Sequence, residues 1–159
     1  PIWNAQARGS FIGLSRNHTK PQMARSVLEG IVFNLLGAAR GLREKIGEPE
    51  ALRVTGGFVR SDFVRQLIAD IFNLPVVVIK NDQSGTLAAM FLAQLGLNDE
   101  DSLDKIVKEI DDSKVYFPNP KNVQVYQDII PIYREVEHDL DQSYDKIAQF
   151  QKKYPKLFE

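Results

Sequence analysis

The stretch LRVTGGFVRSDFVRQLIADIFNLPVVVI, Leu52 to Ile79, decides the fold. Leu52 to Thr55 (LRVT) is a short segment followed by two glycines, which reads as a strand meeting a turn. From Ser61 to Phe72 the apolar side chains take helical spacing, with Phe63, Leu67, Ile68 and Ile71 expected to face inward. Pro75 to Ile79 then forms an unbroken β-branched run, the pattern of a strand covered on both faces in a parallel sheet. Strand, helix and strand in this order predict a βαβ unit and an α/β class.

Upstream, Thr19 and Gln22 have capping-box spacing, Pro21 is tolerated in a first helical turn, and Gly47 and Pro49 supply a stop. Between them Met23, Val27, Ile31, Leu35, Ala38, Leu42 and Ile46 recur at helical spacing, which predicts a long helix with that stripe in the core. Ser10 to Leu14 (SFIGL) reads as a short strand before the polar loop SRNHTK. Downstream, helices are expected from about Ser84 to Leu95 and over LDKIVKEI. After FPNP breaks the chain, Val125, Ile129, Ile132, Tyr133, Val136, Leu140, Tyr144, Ile147 and Phe150 trace a helical stripe to the C-terminus. Pro131 predicts an early kink or break in it. There is no internal repeat or low-complexity segment, and Pro1 opens into a loop-like segment as if cut from something longer.

The bulk numbers narrow the classes of function. A chain of 159 residues that is 43% hydrophobic can bury a core as one globular domain without staples. Its 20 basic and 21 acidic side chains are mixed along the sequence, which gives no electrostatic footprint for nucleic acid. Cysteine is absent, which excludes disulfides, zinc thiolates and thiol nucleophiles and agrees with a reducing compartment. No apolar run has the length of a membrane span, and PIWNAQARG lacks the layout of a signal peptide. A soluble, cytoplasmic protein is expected.

VTGGFVRSDF is the most informative site. Gly56 and Gly57 let the backbone turn sharply and let a flat ligand approach, and Ser61 is placed to cap the next helix. A Walker loop is excluded, because the GK[ST] ending is missing and Asp62 at the first helical position would repel a phosphate. The pattern suits the adenine and ribose end of a nucleotide, or else it is a plain connection. HExxH, GxSxG and paired metal-ligand spacings do not occur, so no catalytic residue and no metal ligand are assigned. His18 reads as a turn or cap residue, with a ligand contact as the alternative. Asp70 and Asp82 read as surface or cap residues, and Lys152, Lys153 and Lys156 as a solvated helix end.

Ala7 to Gly30, ARGSFIGLSRNHTKPQMARSVLEG, resembles the second signature segment of the FGGY carbohydrate kinases: a Gly-Leu pair, a His-containing loop and an Arg-x-x-Leu-Glu helix. PIWNAQARG, with Asn34 and Leu35, resembles the gluconate kinase branch. TGGFVRSDFVRQLIADIFNLPVVV is similar to the family's adenosine segment through Gly56, Gly57, Ser61, Gln66, Ala69, Asp70, Pro75 and Val76. One position departs: NDQSGTLAAMF carries Leu87 where the family has a small residue.

The resemblance implies part of an actin/hexokinase-like (ribonuclease H-like) ATPase domain with long packing helices and a helical C-terminal tail. By it, residues 1–159 are the C-terminal portion of the second, nucleotide-side domain, and the first domain is absent. Gly57, Phe58 and Ser61 would line the adenosine pocket, with Gly56 shaping the turn. ATP is the implied partner, with Mg bound through the nucleotide. A sugar or sugar acid would be held mainly by the first domain, which also carries the catalytic base. The implied reaction is phosphorylation of gluconate at its 6-hydroxyl, with the isolated chain inactive. The alternatives are another sugar kinase of the family, such as a xylulose kinase, or a non-catalytic actin-like nucleotide-binding domain. Self-association through an open sheet edge, a homo-oligomer, is also expected.

Overall fold

A computed structural model describes residues 4–78 and 114–155, with the single positions 85, 89, 92, 93 and 96. Positions 85, 89, 92 and 93, within the helix expected from Ser84 to Leu95, are helical; the rest of that helix, the one expected over LDKIVKEI, the end of the second strand at Ile79, Asp82, Leu87 and Lys156 lie outside the described residues. The chain divides into two compact units, one made of Pro1–Leu42 with Gln124–Glu159 and the other of Arg43–Val123.

The Arg43–Val123 unit contains the βαβ core. β1 (Leu52–Val54) lies parallel to β2 (Val76–Val78), with Leu52 opposite Val76 and Val54 opposite Val78. Between them run a 3-10 turn (Gly57–Arg60) and the helix Asp62–Phe72. That helix buries Val64, Leu67, Ile68, Ala69 and Ile71 against the sheet side of the unit. Each Val, Leu or Ile side chain contributes about 1.5–3 kcal/mol when fully buried. Phe63, expected inward, is instead 45% exposed. Phe63 shares a face with Leu67 four residues on, but it lies in the first turn, at the end of the helix, where the core covers it only in part. The helix ends at Asn73, whose left-handed conformation (φ 51, ψ 44) returns its N–H to the carbonyl of Ala69, and Pro75 follows. A third strand was not foreseen: β3 (Val115–Tyr116) pairs antiparallel with β2, Val76 opposite Tyr116, giving the order β1-β2-β3. Two residues of alternation are too short to show as a strand in sequence.

Two long helices lie together through most of their length in the other unit, which holds the first as far as Leu42 and the last from Gln124. The first, α1, spans Lys20–Ile46; with Asp62–Phe72 as α2, the last is α3, Pro120–Lys153. The capping box is present in part: the Thr19 N–H donates to Gln22 Oε1 at 2.8 Å, and the Thr19 hydroxyl donates to the same oxygen at 2.9 Å. Gly47 (φ 85) stops α1, its N–H returning to the Arg43 carbonyl at 2.9 Å. α3 starts earlier than its apolar stripe. Asn119 accepts from the Lys121 N–H at 3.0 Å, and Pro120 takes the first helical position, where its missing N–H costs nothing. Pro131 lies inside this helix, which continues through it. The expected break is absent because intact hydrogen-bonded turns flank the single lost donor.

The stripe of α1 expected in the core, the strand expected at Ser10 to Leu14 and the setting of the α3 stripe come out differently in the structure. Along α1 the buried side chains are Val32 and Leu36, while Val27, Ile31, Leu35 and Leu42 are exposed. Along α3, Tyr126, Tyr144 and Ala148 are buried, whereas Val125, Ile129, Ile132, Ile147 and Phe150 are exposed. The helices meet through the neighbouring face, Phe33 packing edge-on against Tyr126 at 6.0 Å and tilted against Tyr133 at 5.0 Å. Periodicity identifies residues that share a face without saying which of two apolar faces meets the partner. Finally, Ser10 to Leu14 is irregular rather than a strand, bending at Gly13 (φ 80), with Phe11, Ile12 and Leu14 exposed. A strand needs a ladder partner, and none of the described residues pairs with this segment.

Candidate functional site

The four residues singled out in sequence, Gly56, Gly57, Phe58 and Ser61, come together on the turn that leaves β1 and enters α2. The two glycines have different physical reasons. Gly56 sits at φ 95, ψ 177, a region that side-chain-bearing residues occupy only under strain of about 1–3 kcal/mol. Gly57 is not in the left-handed region, and a Cβ added there would meet no other described atom within 4 Å. Its lack of a side chain is therefore not required by packing among the described residues. Phe58 is 39% exposed beside it. Val59 points the other way, into the core at 6% exposure, and its N–H closes the turn on the Gly56 carbonyl at 3.3 Å.

Ser61 occupies the N-cap position of α2 with suitable backbone angles (φ -82, ψ 130), but its hydroxyl makes no capping bond. This corrects the expected cap. Its carbonyl accepts the Arg65 N–H at 3.1 Å, and Asp62 at the next position supplies the negative charge that a helix start favours. Asp62 is itself compensated. Its carboxylate accepts the Tyr116 hydroxyl in a short hydrogen bond, pairs with Arg65 Nη1 at 2.9 Å and lies 3.6 Å from Lys114 Nζ. The Tyr116 hydroxyl, then these two cations, hold the Asp62 carboxyl below the ordinary range for aspartate. The repulsion of phosphate expected from Asp62 alone is thus offset by two positive neighbours.

Arg65 also reaches back over the turn, its Nε donating to the Val59 carbonyl while Nη1 donates to the Tyr116 hydroxyl at 3.1 Å. Sequence reading missed Arg65, Lys114 and Tyr116. The spacing of Asp62 and Arg65 was visible as a helical ion pair, but Tyr116 depends on the antiparallel pairing of β3 and left no local sign.

Asp70 was read as a surface or cap residue, and this is corrected: it is only 3% exposed. Its Oδ1 accepts from Gln66 Nε2 and the Asn119 N–H, each at 2.8 Å, and Oδ2 accepts from Asn122 Nδ2 at 2.7 Å. A buried carboxylate persists here because three donors replace its water. His18 has the turn role, its Nδ1 accepting the Ser15 N–H at 2.8 Å. Lys152 and Lys153 are exposed in the last turn of α3. Among the described residues no group of three or more His, Asp or Glu is placed to hold a metal ion, and no helix is long and apolar enough to cross a membrane.

Comparison with known proteins gives this turn a family. Residues 1–97 match the profile described as "FGGY family of carbohydrate kinases, C-terminal domain". A gluconokinase of Bacillus licheniformis is 35% identical over 153 residues, covering 96% of this chain and 30% of the relative. Two solved structures from Lactobacillus acidophilus, one titled a gluconate kinase and the other a ligand-bound xylulose kinase, are each 55% identical with a TM-score of 0.82. Each comparison covers 92% of this chain and 30% of the solved one. The chain thus spans about 30% of the length of these relatives. Their fold is that of the sugar kinases, of which this chain is a helix-rich α/β part with a small sheet and a long final helix. The match over residues 1–97, more than half of the chain, shows that the chain belongs to the FGGY family of carbohydrate kinases.

Proposed function

We propose that the protein carrying this chain is an ATP-dependent sugar kinase that phosphorylates gluconate at its 6-hydroxyl, and that residues 56–61 hold the adenosine end of ATP. The observation that carries the second half is the turn itself. Gly56 is demanded by the backbone, Gly57 is not, and the open side of Gly57 adjoins the exposed Phe58 and Ser61. A flat heterocycle can lie there against bare backbone with an aromatic neighbour. In the reaction the sugar hydroxyl oxygen attacks the γ-phosphorus, its proton passes to a base, and ADP leaves. This class of transfer rests mainly on positioning and charge neutralisation. We assign the base to the part of the protein outside this chain, and we make this chain the C-terminal portion of the nucleotide-side domain.

Magnesium would arrive with the ATP phosphates, and no described cluster of this chain fits it as a metal site. The cysteine-free composition supports a cytoplasmic setting. Gluconate is favoured by the PIWNAQARG segment and by the relatedness to gluconokinase. Xylulose is the second reading, supported by the solved structure titled a xylulose kinase at the same identity.

Replacing each glycine in the full-length protein tests the turn. Gly57→Val is expected to raise the KM for ATP by about tenfold or more while leaving the sugar KM within about twofold and the melting temperature unchanged. Gly56→Ala is expected to lower the melting temperature, through backbone strain. An ATP KM unaltered by Gly57→Val would show that adenosine binds elsewhere.

A further inference from the structure

We infer that Arg65, held by Tyr116 and Asp62, is a positioning residue that fixes the nucleotide turn from behind. This rests on the reading of residues 56–61 as the adenosine site. Val59 ties the turn Gly57–Arg60 to the rest of its unit by its side chain and by its carbonyl. The Val59 side chain is buried below, and its carbonyl is taken by Arg65 Nε from the first turn of α2. A guanidinium suits this task because its Nε and Nη1 hydrogens are fixed in one plane. One edge can hold the turn while the neighbouring nitrogen is anchored elsewhere. Here Nη1 is anchored twice, on Asp62 Oδ1 at 2.9 Å and on the Tyr116 hydroxyl at 3.1 Å.

Tyr116 completes the arrangement, since its hydroxyl accepts from Arg65 and donates to Asp62. Its ring also carries both cations, Lys114 Nζ at 4.8 Å and the Arg65 guanidinium carbon at 5.7 Å from the centroid. Tyr116 is buried and comes from β3, which the ladder with β2 holds in register. The chain of contacts therefore runs from the sheet through Tyr116 and Arg65 to the backbone of the turn. A turn ordered before the nucleotide arrives does not lose that freedom on binding, so the arrangement acts on affinity. Lysine could keep the ion pair with Asp62 but could not bond Val59 and Tyr116 together.

The test compares Arg65→Ala, Arg65→Lys and Tyr116→Phe in the full-length protein, measuring kcat and KM for ATP and for sugar. Arg65→Ala is expected to raise the ATP KM about 5- to 10-fold, Arg65→Lys nearly as much, and Tyr116→Phe about 2- to 4-fold. The sugar KM and kcat should stay within about twofold. A merely structural role would lower the melting temperature and the active fraction, and so kcat, with the ATP KM unmoved. That result overturns the inference. If Gly57→Val raises the ATP KM and the Arg65 variants do not, the positioning role fails while the adenosine site survives. If neither changes it, the site reading itself fails. Should Arg65→Ala not fold, Tyr116→Phe removes one oxygen only, and its ATP KM decides.

Discussion

Asp70 shows what a single residue can conceal. In sequence it is a carboxylate at the end of an amphipathic helix, where exposure is the usual outcome. Its burial is explained by donors far along the chain, since the Asn119 N–H is 49 residues away and Asn122 is 52. Asp70 thereby ties α2 to the first turn of α3, within one unit. Asp70→Asn keeps the shape but turns one acceptor into a donor facing another donor. We expect it to cost about 2–3 kcal/mol of stability, read as a lower melting temperature of the full-length protein. A melting temperature unchanged within error would mean that these bonds contribute nothing net. The glycines were more legible, because a tight strand-to-helix turn restricts its residues locally. Sequence could not separate the backbone demand at Gly56 from the open side of Gly57, which appears only with the dihedral angles. Nor could it show that Phe63 stays 45% exposed, as that depends on how far the core reaches along α2.

At the scale of elements, helix ends and most of the α2 face were legible, with Leu67, Ile68 and Ile71 buried as expected, and the faces of α1 and α3 were not. The Thr19 and Gln22 start and the Gly47 stop are local chemistry, complete within a few residues. The face that α1 presents to α3 is a choice between two apolar stripes, and only the packing reveals it. The same packing explains the Arg-x-x-Leu-Glu part of the signature segment. Arg25 pairs with Glu29 at 2.8 Å and donates to the Tyr126 hydroxyl at 3.0 Å, which in turn donates to Glu29 at 2.9 Å. These residues fasten α1 to α3. Burial, opposed by Arg25 and aided by Glu29, pushes the Tyr126 hydroxyl above its ordinary value of 10.0. The neutral form is thus favoured in the folded state. Its contribution is full below pH 10 and is lost as pH rises through the folded value, because the unfolded chain releases its proton first. Tyr126→Phe should lower stability at neutral pH by about 1 kcal/mol and reduce the further loss between about pH 9 and 11. Tyr133, also raised by burial, leaves part of that slope. An alkaline slope identical to that of the unaltered protein would contradict the assignment.

For the molecule as a whole, the order of motifs was more informative than any one of them. A Gly-Gly turn alone is equally a connection, but a signature helix, an adenosine-like turn and a Pro-Val strand in the right order identify the family, and residues 1–97 match it. Burial was least legible at this scale. A face such as Val27, Ile31 and Leu35 carries core-like residues yet is 43–48% exposed in this chain, and periodicity carries no information about a covering partner. We propose that this chain is the nucleotide-side part of a gluconate kinase, and ADP release from the full-length protein given Mg-ATP tests that proposal. Gluconate and xylulose would be compared as acceptors, with the isolated chain assayed alongside. We predict turnover that requires sugar, a higher kcat/KM for gluconate than for xylulose, and none from the chain alone. ADP release that neither sugar accelerates, or sugar-dependent turnover by the isolated chain, would contradict the account.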